Sequence, residues 1–449
     1  MKLKTNDSLF DRFNPSQILV IGFAGLILFG AILLSLPLSS ASGERTGFID
    51  ALFTATSAVC VTGLVVVDTG TYFSTFGQIV ILMLIQIGGL GFMTMSTMFA
   101  LLIGKKIRLR ERLVMQEALN KMSMDGVVRL AKAILTITFL IEGIAALILG
   151  FRFAEEHGLA RGMYYGLFHS VSAFNNAGFD LLGNYKGLTG YVTDIPLNLI
   201  ISFLIIVGGL GFGVIVDLIS KKKWKLFSLH TKIIVSTTAM LVFIGTTAVF
   251  LLEYNNPATL KGLSLPAKLM ASWFQGITPR TAGFNTVDIT GLRDATQFLI
   301  VLFMFIGASP GSTGGGVKTS TFAALVSAVI SMIRGKEDVE MFGRRLPRDI
   351  VQRSLTIIAT SIAFVILITM LLTITEQGRF LEVLFEATSA FGTVGLSMGL
   401  TAKLTVLGKL ILCFTMYAGR LGPLTIAFAL AQKKRKALYR YPEEKIMVG

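Results

Sequence analysis

Charged residues are scarce in this sequence: they make up 15% of its 449 residues, against 53% hydrophobic, and mean hydropathy is +0.72. A soluble globular domain carries about a quarter charged residues, so that class is excluded. Histidine is nearly absent. His157, His169 and His230 are scattered and form no HExxH or similar metal site. The two cysteines, Cys60 and Cys413, lie in or beside apolar segments and give neither a disulfide framework nor metal-ligand spacing. No His/Cys/Asp constellation supports an intramembrane enzyme, and the chain reads as binding no cofactor of its own.

What the chain has instead is apolar length. Uncharged runs of about 20 residues, each enough to cross a ~30 Å hydrocarbon core as a helix, recur throughout. The first, residues 15–36, exceeds the ~7–15-residue core of a signal peptide and reads as a spanning helix. The fold class is therefore an all-α polytopic membrane protein. Most of the basic residues behind the net charge of +15 fall in five clusters: Lys2, Lys4 and Arg12; residues 105–132; 221–232; 334–353; and 433–445. Pairs of spanning segments separate these clusters, so all lie on one side, which the positive-inside rule makes cytoplasmic. Both termini are then cytoplasmic and the number of spans is even. The topology rule and anionic lipid headgroups explain the basicity more simply than a docking surface for a soluble partner, and nucleic acid is the weakest reading.

Four stretches share a layout: "ALFTATSAVCVTGL", "GLFHSVSAFNNAGF", "ASWFQGITPRTAGF" and "VLFEATSAFGTVGL". In each, an aromatic (Phe53, Phe168, Trp273 or Phe385) stands ten residues before a glycine (Gly63, Gly178, Gly283 or Gly395). A motif at near-constant period marks a repeat architecture. Each unit reads as a spanning helix, a short amphipathic segment ending at the glycine, and a second spanning helix. First helices are expected at 15–36, 127–151, 230–252 and 350–374, and second helices at 76–103, 195–219, 296–333 and 404–431. The repeats then occupy 15–103, 127–219, 230–333 and 350–431, joined by linkers 104–126, 220–229 and 334–349, with tails 1–14 and 432–449. Eight spans satisfy the even-number requirement. Two spans per unit make the repeats parallel, arranged about an axis along the membrane normal.

Non-helical backbone at membrane depth is tolerated only when buried in protein or lining a water-filled cavity. A short helix over 48–58 covers about half the membrane at 1.5 Å per residue. Its C-terminal end carries a partial negative charge of roughly half an electron, which favours a cation. Glycine beyond it can take positive φ and let carbonyls face inward, where a ring of them replaces the hydration shell of a monovalent cation. The expectation is four fused helix–pore loop–helix units around a central pore. Asp50 and Glu382 each lie three residues before the aromatic of their unit, a favourable place for an acid at a helix N-terminus. Glu142 reads as a buried, hydrogen-bonded acid rather than an ion site.

These four units resemble the Trk/Ktr/HKT superfamily of potassium transporters, and within it the KtrB-type membrane subunits, which lack an extra N-terminal helix pair. The resemblance covers residues from about 15 to 431. It implies that Val61, Thr62 and Gly63, Asn176, Ala177 and Gly178, Thr281, Ala282 and Gly283, and Thr393, Val394 and Gly395 form the selectivity filter, holding potassium by backbone carbonyls. Plant relatives with sodium preference carry serine in the first loop, so Gly63 favours potassium. The resemblance also implies a homodimer in the plasma membrane, regulated by cytoplasmic RCK/KTN nucleotide-binding subunits, with sodium as an activator in some relatives. A sodium-preferring or proton-coupled member of the superfamily is the alternative within transport. A non-conducting structural or sensory membrane protein is the alternative outside it.

The second helix of the third unit is interrupted by "IGASPGSTGGGVKTS". Pro310 with Gly307, Gly311, Gly314, Gly315 and Gly316 precludes a continuous helix there. The stretch resembles a Walker P-loop, but Val317 separates Gly316 from Lys318 and the pattern fails. The resemblance implies instead an intramembrane gate over 306–318, to which Lys318 adds a side chain expected to reach cytoplasmic water. Arg420 lies in an apolar helix, where an arginine is a functional candidate by default. It is expected either to bond glycine-loop carbonyls or to stand as a positive barrier to cations.

Overall fold

The computed structural model describes residues 14–91 and 126–422, with isolated positions between and after them. Most of the tails 1–14 and 432–449 and of the linker 104–126, and with them three of the basic clusters wholly or largely, lie outside the described residues.

The order long helix, short helix, interrupted helix occurs four times. The first set is α1 (Pro15–Leu34), α2 (Phe48–Val59) and α3 (Thr75–Leu90); the second is α4 (Val127–His157), α5 (Leu159–Phe174), α6 (Ile195–Leu210) and α7 (Phe212–Ser220). The third is α8 (Leu229–Glu253), α9 (Leu265–Ile277), α10 (Asp294–Phe305) and α11 (Thr319–Ile333); the fourth is α12 (Arg348–Thr375), α13 (Phe380–Gly392) and α14 (Val406–Leu421). A two-stranded hairpin, β1 (Glu340–Met341) with β2 (Arg344–Arg345), is the sheet among the described residues.

Local sequence accounts for where these helices start. Pro15 opens α1, and the Gln17 side chain accepts from the Asn14 N–H at 2.9 Å. Ser74, Asp194, Ser228 and Thr405 cap α3, α6, α8 and α14 by accepting from the backbone N–H three residues on. In the third and fourth sets a buried glutamate ties the long helix to the start of the interrupted one. Glu253, at the end of α8, accepts from the Arg293 N–H at 3.0 Å. Glu376, following α12, accepts from the Thr405 N–H at 2.9 Å. In each set the long helix packs along the short one. The short helices are buried nearly throughout their C-terminal halves.

Among the described residues four helices, α1, α4, α8 and α12, are long and apolar enough to cross a membrane, and α6 with α7 makes a fifth if that bent pair is one span. The expected second helices differ from the expectation of continuous spans. α3 ends at Leu90, and Gly91 takes φ +81°. α6 and α7 meet at Gly211, φ +94°, with a bend of 100°. α14 ends at Leu421, and Gly422 takes φ +86°. Glycines at positive φ thus end α3, α6 and α14, and loop 306–318 separates α10 from α11. A glycine at positive φ stops a helix at little steric cost whatever the hydropathy of its neighbours.

Candidate functional site

The four short helices point their C-terminal ends at one another, and the way each ends sets the path of the loop beyond it. At the end of α2 the Thr62 N–H donates to Ser57 O at 2.8 Å and the Val61 N–H to Ala58 O at 3.1 Å. Ala177 and Asn176 repeat this pair of bonds on Ser172 and Ala173, and Val394 and Thr393 repeat it on Ser389 and Ala390. This is the Schellman termination, which needs one residue in the left-handed region, normally glycine. Here that residue is Val61 (φ 57°), Asn176 (φ 58°) or Thr393 (φ 50°), and in the third loop Thr281 (φ 70°) stands at the same place. Positive φ at β-branched Val61, Thr281 and Thr393 is a true outlier, and outliers of this kind cluster where structure serves function.

Two residues further on stand the four glycines, all at positive φ: Gly63 at 91°, Gly178 at 68°, Gly283 at 76° and Gly395 at 93°. They close a ring. A Cβ on Gly63 would collide with Ala177 O, and one on Gly178 would lie 2.9 Å from Ala282 O. A Cβ on Gly283 would lie 2.6 Å from Val394 O, and one on Gly395 would collide with Thr62 O. Each glycine therefore abuts the carbonyl preceding the next glycine, in the cyclic order 63, 178, 283, 395. All twelve residues singled out around these glycines are brought together. They offer main-chain oxygens, which suit a hard monovalent cation, and no side-chain carboxylate.

Hydroxyls hold the loops from behind, and the sequence reading missed them. The Gly63 N–H donates to Ser57 Oγ at 3.0 Å and the Gly395 N–H to Ser389 Oγ at 3.1 Å. Ser172 Oγ donates to Phe179 O at 2.7 Å, and Thr278 donates to Phe284 O. The signal was present: Ser57, Ser172 and Ser389 all stand six residues before their glycine. The Asn176 side chain and the Thr281 hydroxyl are 3.0 Å apart, linking the second loop to the third.

Loop 306–318 lies against this ring. It is closed at its base by a parallel bridge between Ile306 and Val317. The Ser309 N–H donates to Gly209 O at 3.0 Å, and the Phe212 N–H donates to Gly311 O at 2.9 Å, so the loop seats on the break between α6 and α7. The Gly315 N–H donates to the Thr393 hydroxyl at 2.9 Å, and Gly314 leaves no room for a Cβ beside Thr281. Arg420 bonds both the loop and α3. Its guanidinium donates to Thr313 O, to Gly88 O at 2.5 Å and to Gly89 O at 3.0 Å, strapping the loop to the end of α3. The Lys318 Nζ donates to Gly314 O at 2.6 Å and to Gly315 O at 3.4 Å.

The remaining candidates have separate places. Asp50 pairs with Lys409 at 2.6 Å, joining α2 to α14. Glu382 accepts from the Arg379 N–H at 3.1 Å, as a capping residue does. Glu142 is buried and hydrogen-bonded to Gln86 and Asn175. The sequence also carries a mark at the helix breaks, "IGGLGF" at 87–92, "VGGLGF" at 207–212 and "AGRLGP" at 418–423. Gly88, Gly208 and Gly419 let their helices close on Val59 O, Phe174 O and Phe391 O, four residues before the glycines of their sets. Among the described residues no group of three or more His, Cys, Asp or Glu is placed to hold a metal.

Residues 5–438 match the family model TrkH, described as a cation transport protein. The chain is 48% identical to the Ktr system potassium uptake protein B of Bacillus subtilis, covering 98% of this chain and 97% of that protein. It is 43% identical to the potassium/sodium uptake protein NtpJ of Enterococcus hirae, covering 98% of each. The crystal structure of the potassium transporter TrkH from Vibrio parahaemolyticus matches with a TM-score of 0.73 at 18% identity, over 96% of this chain and 87% of that one, which establishes the fold. The matched family and relatives are ion transporters, so the chain is a membrane transport protein and not an enzyme. It belongs to the TrkH family of cation transport proteins.

Proposed function

We propose that this chain takes potassium into the cell across the plasma membrane, through a pore whose selectivity filter is the ring of Gly63, Gly178, Gly283 and Gly395. The observation that carries the reading is the cyclic closure of four loops, each presenting a carbonyl to the preceding glycine in that order. Thr62, Ala177, Ala282 and Val394 supply those carbonyls, and they replace water around the ion. The left-handed residues Val61, Asn176, Thr281 and Thr393 aim them. The four sets of helices act as parallel repeats around one axis, with eight spans, the interrupted helices crossing as bent or broken ones.

Loop 306–318 acts as the gate. Gly307, Pro310, Gly311, Gly314, Gly315 and Gly316 give it freedom to move, and the strap from Arg420 holds it beneath the ring. The basic linkers 220–229 and 334–349 face the cytoplasm, as do both termini. The chain works as a homodimer under a cytoplasmic RCK/KTN nucleotide-binding subunit. That relatives are named as parts of a Ktr system supports a separate regulatory component. Sodium acts as an activator rather than as the main cargo. The printed name of the Enterococcus relative includes sodium, which keeps a sodium-carrying member as the second reading. Potassium uptake with sodium in competition, in a host lacking its own potassium uptake, separates the two. Sodium uptake exceeding potassium uptake would select the second reading.

A further inference from the structure

One buried acid contacts neither the glycine ring nor the loop. Glu142 lies on α4, 3% exposed, and its two carboxylate oxygens meet two different amides. Oε2 accepts from Gln86 Nε2 of α3 at 3.0 Å, and Oε1 accepts from Asn175 Nδ2 at 2.9 Å. Asn175 Nδ2 also donates to Gln86 Oε1 at 2.9 Å, which closes a triangle of three side chains from three elements. Gln86 and Asn175 are buried as well, which strengthens these bonds. An acid within a membrane protein's interior is costly to keep, and its retention needs a reason.

Its position supplies one. Asn175 is the last residue of the α5 termination before left-handed Asn176, and three residues before Gly178. Glu142 also anchors α5 by its main chain, where Ser170 Oγ donates to Glu142 O at 2.7 Å. Gly89 of α3 packs flush on Asn175, since a Cβ there would lie 2.9 Å from Asn175 Cβ. The same turn of α3 accepts from Arg420 through Gly88 O and Gly89 O. We propose that Glu142 is a positioning residue for the second glycine loop: by holding Gln86 and Asn175 together it fixes the turn at Asn176, and so the direction of the Ala177 carbonyl. This inference rests on the reading of the glycine ring as the cation filter.

The triangle's chemistry makes the test specific. E142Q sets an amide nitrogen against Gln86 Nε2 or Asn175 Nδ2, two donors face to face in a dry site. The double variant E142Q/Q86E restores the alternation of donors and acceptors, with the carboxylate moved from α4 to α3. The readout is the potassium concentration for half-maximal uptake, with sodium competition, normalised to the amount of protein in the membrane. Loss of one such bond is expected to raise that concentration about tenfold in E142Q, and the double variant to return to within about twofold of the parent. Parent half-saturation and competition in E142Q, or a double variant no better than the single, would overturn the proposal. If E142Q does not accumulate, the double variant decides: accumulation with parent half-saturation supports it, and anything else overturns it. G178A measured alongside separates the two levels, since unchanged uptake in G178A refutes the filter reading itself.

Discussion

The Gly315 N–H donates to the Thr393 hydroxyl at 2.9 Å, so the loop is bonded to the left-handed turn two residues before Gly395. T393V keeps the shape of the side chain and removes the acceptor. It leaves a buried N–H unpaired, at a cost of about 1–3 kcal/mol to the seated loop. Potassium flux into proteoliposomes without any regulatory subunit should rise several-fold, while T393S, which keeps the acceptor, should match the parent. Equal flux in T393V and the parent would show that this bond does not restrain the loop.

Arg420 binds three carbonyls from two elements with one planar fork. R420A should release the loop and raise basal flux more than T393V does. R420K should fall between R420A and the parent, because an ammonium cannot reproduce the fork. Flux in R420A at or below the parent level would point to the arginine supporting the pore instead of closing it.

Shortening the loop within 311–316 removes the contacts to α7 and Thr393 together. The expected result is the highest flux of the series, with sodium competition unchanged because the ring is untouched. Unchanged transport in such a deletion would refute the gate.

How much of this was legible in the sequence differs by residue. Gly63, Gly178, Gly283 and Gly395 were legible because positive φ and a carbonyl at the missing Cβ both demand glycine, and the demand recurs at a regular period. Val61, Thr281 and Thr393 gave no such sign, since β-branched residues carry no local preference for the conformation they hold; the ring imposes it. The breaks at Gly91, Gly211 and Gly422 were masked by hydropathy that runs straight through them, although the short glycine pattern around each is visible in retrospect. The partners of Arg420, and Gln86 as partner of Glu142, lie in other helix sets, so no local pattern could pair them. The bonds from Lys318 to Gly314 O and Gly315 O were not legible, because they depend on how the loop turns back on itself.

The left-handed turns carry their own prediction. V61G relieves a conformation that costs a β-branched residue about 1–2 kcal/mol, but it also removes a fully buried side chain worth about 1.5–3 kcal/mol, leaves a cavity and adds freedom to the unfolded chain. Thermal unfolding of V61G should therefore occur below the parent temperature, while sodium competes more strongly for uptake because the Thr62 carbonyl is less well aimed. A lower unfolding temperature with unchanged competition would show that Val61 serves packing alone.

Whether four unlike loops form one filter is decided by G63A, G178A, G283A and G395A, each expressed in a host without its own potassium uptake. Every added methyl would meet a neighbouring carbonyl or glycine Cα across the ring. Each of the four, present in the membrane at parent levels, is expected to lose potassium uptake or its preference over sodium. A single variant that accumulates normally and transports potassium with parent half-saturation and parent sodium competition would contradict the shared filter.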